Sequence, residues 1–219
     1  MNEEFISNQI AVYKTSKSLI EFLDKLRVGT IQEYAHIHAT GDQVEDGRKI
    51  VSLIGIRMLD YTKGTGDKSV MVQANISPDE ADFILSRLNA GFPEFEFRQE
   101  KIFGDPDATG YSQVTKLRIL RAMTGSDGKP RNYPWYVEVE NGKGLKMKSS
   151  TGGAYIKPKS YQCMAKVYVN LTDLDLFKLL NRVSHYIKAW EFGIAPALIA
   201  KAKKEIENRK NDTPMEQAS

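Results

Sequence analysis

Residues 70–88 read VMVQANISPDEADFILSRL, and the change of period inside this stretch decides the fold class. Val70 to Ile76 is apolar and rich in β-branched residues, which predicts a strand. Ser77 then offers a hydroxyl as N-cap. Pro78 fits the first helical position, because its φ is preset and its missing N–H is not needed there. Asp79 and Glu80 suit the positive end of the helix dipole. Ala81, Ile84, Leu85 and Leu88 recur at helical spacing and predict one buried stripe, which Gly91 and Pro93 end.

The same grammar returns downstream. Glu94 to Phe103, Gln113 to Met123 and Gln162 to Asn170 read as strands. Thr172 then caps a helix with Asp173 and Asp175 in its first turn and Leu176, Leu179, Leu180, Val183 and Ile187 on its apolar face. The junctions 75–82 (NISPDEAD) and 170–175 (NLTDLD) share an Asn, an apolar residue, a cap and acids. The pattern predicts an α+β protein of two repeated antiparallel-sheet-plus-helix units with an extra C-terminal helix. Residues 1–92 form the first unit with an N-terminal helix. Residues 93–210 form the second, and Pro196 opens its extra helix. Residues 211–219 are a polar, disordered tail.

Finer expectations follow from local pattern. Leu19, Phe22, Leu23 and Leu26 fall at i, i+3, i+4 and i+7, which predicts a helix over Ser16 to Arg27. Thr30 to Ala39 reads as extended, Thr40 to Gly47 as a polar loop, and Lys49 to Asp60 as one long strand. Tyr61 to Ser69 and Gly125 to Gly128 read as turns. Asn141-Gly142 is a favoured two-residue turn, so Tyr133 to Glu140 and Gly144 to Ser149 are expected to form a hairpin around it.

Composition narrows the class. At 41% hydrophobic and 27% charged residues the chain can build an ordinary core. No run of 18 apolar residues offers a membrane span. The start, Met1-Asn2-Glu3-Glu4, is acidic with no apolar stretch behind it, unlike a signal peptide. The single cysteine, Cys163, excludes an internal disulfide and a cysteine-rich zinc site, and it is expected in a strand interior. These features together predict a cytoplasmic protein.

The charge is unevenly placed. Residues 1–90 carry 10 Lys/Arg and 13 Asp/Glu, whereas residues 91–219 carry 21 and 15. Residues 116–166 hold 11 Lys/Arg against Asp127, Glu138 and Glu140. A cationic β segment of this kind points to a polyanion. Tyrosines are interleaved with the basic residues, and single strands are held by a cationic groove with rings on which bases stack. Period two puts Lys116 with Arg118 on one face, and Lys146 with Lys148, while Arg121 points away from Arg118. Trp135 shares an apolar face with Val137 and Val139 and is expected in the core.

A strand-rich unit closed by a helix and given twice, together with Gly142-Lys143-Gly144-Leu145-Lys146, resembles the Pur-alpha and Whirly families. In the Whirly pattern a Lys-Gly-Lys-Ala stretch opens a strand beside the bound nucleic acid. Here the order of the motif is shifted, and the likeness covers residues 30–190 in architecture. The resemblance implies a sequence-tolerant binder of single-stranded DNA or RNA.

Other chemistry is poorly supplied. His36 and His38 lie two apart but lack a third metal ligand at a characteristic spacing. Gly64-Thr65-Gly66-Asp67-Lys68-Ser69 is not a phosphate loop, because Asp67 splits the Gly-Lys pair and two strands flank it. No enzyme, metal or cofactor is expected. The expected nucleic-acid-binding set is Lys116, Arg118, Lys129, Arg131, Tyr133, Lys143, Lys146, Lys148, Tyr155, Lys157 and Lys159. The partner is single-stranded DNA or RNA, a homo-oligomer is the next partner considered, and a protein-interaction scaffold is the alternative function. The last stretch, Ala195 to Arg209, has an apolar side that suits packing on the domain or on a second subunit.

Overall fold

The computed structural model describes residues 6–31, 36–125 and 127–212. Its first sheet is antiparallel, with the order β1 (Gln9–Lys14), β2 (Ser18–Lys25), β5 (Leu53–Asp60) and β6 (Val70–Ile76). A separate hairpin, β3 (Thr40–Glu45) and β4 (Arg48–Val51), is inserted between β2 and β5. Helix α1 (Pro78–Asn89) follows. The second sheet runs β7 (Glu94–Phe103), β8 (Tyr111–Ala122) and β9 (Trp135–Lys148). Strand β11 (Gln162–Leu171) and the short β10 (Ala154–Ile156) share the far edge of β9. Helix α2 (Asp173–Asp212) closes the chain. This is an α+β architecture in which four main strands and a helix occur twice in order.

The junction at Ser77 forms as its residues dictate. The Ser77 hydroxyl accepts from the Glu80 N–H, and the Ser77 N–H donates to the Glu80 carboxylate, a complete capping box. Thr172 and Asp175 repeat the exchange at the start of α2. The apolar faces of both sheets and both helices meet in one core. Ile20, Ile56 and Val72 from the first sheet join Leu117, Val137 and Val169 from the second, with Ile84 and Leu180 from the helices. Trp135 is fully buried, and its Nε1–H donates to Asp173 at 2.7 Å.

Several local expectations are corrected. Residues 18–25 are strand β2, not a helix. Ile20, Phe22 and Leu23 are all buried because β2 is a central strand flanked by β1 and β5, and burial on both faces erases the alternation that marks a strand. The polar loop at 40–47 belongs instead to the β3–β4 hairpin. Asp46 and Gly47 both have positive φ, as a primed two-residue turn requires. The strand expected over 49–60 breaks at Ser52, whose N–H donates to Ala39 and whose hydroxyl accepts from the Arg27 N–H.

Asn141-Gly142 does not turn the chain; β9 runs straight through it. The Asn141 amide bonds the exposed edge of β6 as a strand backbone would, accepting from Gln73 N–H at 2.7 Å and donating to Gln73 carbonyl at 2.8 Å. Gly142 lies under β11, where a Cβ would run into the Gln162 carbonyl. Pro196 does not open a new helix. It lies inside α2, which continues to Asp212 at the cost of one backbone bond. Residues 211 and 212 of the expected tail belong to α2, and its residues 213–219 lie outside the described residues, as do 32–35 of the stretch expected to be extended and Ser126 of the turn at 125–128. Cys163 is exposed at a bulge in β11 instead of buried in a strand interior.

Candidate nucleic-acid interface

The outer face of the second sheet carries the residues that charge counting singles out. Lys116 and Arg118 on β8 share this face, and Arg121 points into the interior as expected. The cations there are neutralised. Arg118 meets Glu96 at 2.6 Å, and Lys116 meets Glu100 at 3.0 Å. Lys166 bridges Glu138 at 2.6 Å and Glu140 at 3.0 Å. The register sets cations against acids: Lys116 lies opposite Glu100 on β7 and Glu140 on β9, Arg118 opposite Glu138, and Lys166 opposite Glu140.

This lattice sets the protonation of its members. Burial alone would raise the Glu138 carboxyl, but hydrogen bonds from Lys166 and Tyr136 outweigh it and hold it below the usual range. Burial first, then the hydrogen bond to Glu138, pushes the Tyr136 hydroxyl up to about 12. The two carboxylates hold the Lys166 ammonium above its usual range. Tyr161 donates to Glu140 at 3.0 Å, and the Lys116 ammonium sits 4.1 Å from its ring centroid.

The remaining expected residues fall into two groups at opposite ends of β9. Lys129, Arg131 and Tyr133 lie in the β8–β9 loop. Lys146, Lys148, Tyr155, Lys157 and Lys159 lie at the β9–β10 end. At about 3.3 Å per residue the two ends of this strand stand roughly 43 Å apart. Lys143 joins neither group, since it pairs with Asp107 at 2.6 Å. Tyr155 pairs with Met147 in register, so its side chain lies on the face opposite Lys146 and Lys148.

The Tyr133 end opens on a cleft of about 760 Å³. Five consecutive β11 residues, Lys166 to Asn170, line one wall. This edge of β11 pairs with no strand among the described residues, because β9 takes the other edge. Tyr13 and Lys17 of the first unit line the opposite wall, with Asp60 as the acid present. Tyr133 is 52% exposed and Tyr168 is 54% exposed. Tyr168 stacks on Tyr136 with centroids 5.4 Å apart and planes at 28°. Burial raises the Tyr13 hydroxyl above its usual range, and the charges of Asp175 and Tyr133 add to it. Lys17, Lys129 and Arg131 have no carboxylate partner among the described residues.

Tyr13, Lys17, Tyr136 and Tyr168 are additions to the expected set. Tyr168 alternates with Val167 and Val169 along β11, which is a legible signal of an outward ring. Tyr13 and Lys17 reach the cleft only through packing of one sheet against the other. Among the described residues no group of three His, Cys, Asp or Glu could hold a metal, and no helix is long and apolar enough to cross a membrane. His38 is bound in place: its ring stacks on Trp190 at 4.9 Å and its nitrogens meet Ser52 and Glu191.

No protein-family model, curated protein or solved structure matches the chain.

Proposed function

We propose that this protein binds single-stranded nucleic acid without catalysis, and that the cleft beside β11 is where bases stack. The observation that carries this reading is the pair of half-exposed rings, Tyr133 and Tyr168, at a cleft lined by the unpaired cation Lys17, with Lys129 and Arg131 in the same loop as Tyr133. Rings of this exposure offer stacking area to any base, and the cations suit the backbone phosphates. The architecture-level resemblance to Pur-alpha and Whirly proteins supports the same reading.

The test is a fluorescence-anisotropy titration with a labelled single-stranded oligonucleotide and its duplex, at two salt concentrations. Tighter binding of the single strand, falling steeply with salt, is the expected result. No binding at low salt ends the proposal. The unpaired β11 edge favours one second reading, in which a partner protein adds a strand there. That reading predicts no oligonucleotide binding and a protein complex whose affinity changes little with salt.

A further inference from the structure

Lys25 ends β2 in the first unit, and Lys101 lies near the end of β7 in the second. The two side chains meet at one residue. Lys25 Nζ donates to the Asn75 side-chain oxygen at 2.9 Å, and Lys101 Nζ donates to the Asn75 carbonyl at 3.0 Å. Gly55 permits the first contact. The Lys25 chain crosses β5 over this glycine, where a Cβ would stand 2.9 Å from Lys25 Cε.

Both lysines are half-buried. Burial holds each ammonium below the usual lysine range, and the Arg57 charge pushes Lys25 the same way. Arg57 is itself committed to Glu21. Glu80, whose charge bears on Lys101, is taken up by the Ser77 N–H and the Gln99 amide. Neither lysine has a carboxylate within ion-pair distance among the described residues. Each ammonium therefore spends one donor on a neutral oxygen and keeps two.

Several other partly buried cations of this chain come with an acid, Lys116 with Glu100, Lys143 with Asp107 and Arg121 with Asp173, and Arg87 lies over the Phe83 and Phe92 rings. Gathering two ammonium groups away from water without a counter-charge is unfavourable by comparison. A cavity of about 300 Å³ opens at the same place, with Asn75, Lys101 and Thr115 on its polar side and Leu53 and Phe103 as apolar walls. Phe103 is 50% exposed.

We infer that this junction is an anion site for a single phosphate group, bridged by Lys25 and Lys101, with the Phe103 ring beside it for an attached base. A phosphate supplies both the missing charge and acceptors for the spare donors. The chemistry suits a free nucleotide or a nucleotide within a strand. The site is separate from the tyrosine cleft. The cleft meets the β2–β5 ladder at Ser18 and Asp60, and the Asn75 cavity meets it at Leu53, the register partner of Lys25, about 23 Å further along. The inference therefore stands whether or not the cleft binds a strand.

The test titrates inorganic phosphate into the whole chain at ionic strength held constant with chloride, following the Asn75 amide and the lysine side chains by NMR. A saturable shift centred on Asn75 is expected, weakened at least tenfold by Lys25→Met and by Lys101→Met. Asn75→Asp places a carboxylate between the two ammonium groups. It is expected to leave the fold intact and abolish phosphate binding, which separates loss of the site from loss of structure. Displacement of phosphate by a 5′-nucleoside monophosphate identifies a free nucleotide as the source; displacement only by an oligonucleotide identifies the strand. A shift that does not saturate, that maps away from Asn75, or that persists at full affinity in Asn75→Asp overturns the inference.

Discussion

The two ends of β9 carry charge of the same sign in opposite surroundings. At the Tyr133 end the cations Lys129 and Arg131 share a loop with Tyr133, which lines a cleft with exposed rings and a strand edge that pairs with no strand among the described residues. At the β10 end Lys146, Lys148, Lys157 and Lys159 stand in a stretch without a single acid, and Tyr155 faces away from Lys146 and Lys148. Between them the cations are paired off by Glu96, Glu100, Glu138 and Glu140. One strand thus holds a stacking site, a neutral lattice and a bare cationic tip. Charge alone attracts a polyanion anywhere along it; rings and a cleft decide where a base can sit.

The comparison depends on β9 being one strand, so the largest effect is expected where it is threaded most tightly. Gly142→Ala drives a Cβ into the Gln162 carbonyl, and backbone cannot yield as a side-chain tip would. A loss of about 3 kcal/mol is expected, at the upper end for overpacking. Urea denaturation measures it. A neutral result would mean that the residue sits in an open turn and that the two ends lie close together.

Much of this was legible beforehand. The Ser77-Pro78-Asp79-Glu80 start, the burial of Trp135 and the opposed directions of Arg118 and Arg121 follow from caps and period two, which are local rules. The failures have a common physical cause, which is tertiary context. Asp46-Gly47 turns the chain and Asn141-Gly142 does not, although both are favoured turn pairs. The second is overridden because the Asn141 amide serves β6 and Gly142 admits β11. Strand β2 took on a helical period because it is buried on both faces. The positive surplus at Lys116 and Arg118 could not be discounted in sequence, since their acids come from β7 and from across the β8–β9 register.

The stacking end is expected to dominate oligonucleotide binding. Tyr133→Ala and Tyr168→Ala should each cost about 1–3 kcal/mol, or roughly 5- to 150-fold in Kd. The slope of log K against log salt should not change, because no phosphate contact is removed. Phe at either position should retain most of the affinity. A changed slope with unchanged affinity at low salt would assign these tyrosines no stacking role.

The tip and the lattice separate under the same titration. Lys146→Gln with Lys148→Gln should lower the salt slope by about 1.4, from two lost phosphate contacts at roughly 0.7 each on a single strand. Lys116→Gln with Arg118→Gln should leave slope and affinity within about twofold, because those cations are already neutralised by side chains that exposed pairing stabilises by only ~0–1 kcal/mol. Equal slopes lost by both double variants would show that the ion pairs open to admit phosphate.

The smallest effect expected is the alkaline limit of the lattice itself. Tyr136 is held up to about 12, by burial and by its bond to Glu138, and Lys166 is held above its usual range by Glu138 and Glu140. Both groups bind their proton more tightly folded than unfolded. Their contribution to stability is therefore complete below the unfolded tyrosine value near 10 and is lost as pH rises towards 12. The lattice faces solvent, so screening makes the loss modest. An absorbance titration of the phenolate should place Tyr136 at about 12, and Glu138→Gln should bring it down. If Tyr136 titrates near 10 in the intact protein, the middle of β9 is not a closed network, and its cations join those at the two ends as candidates for phosphate.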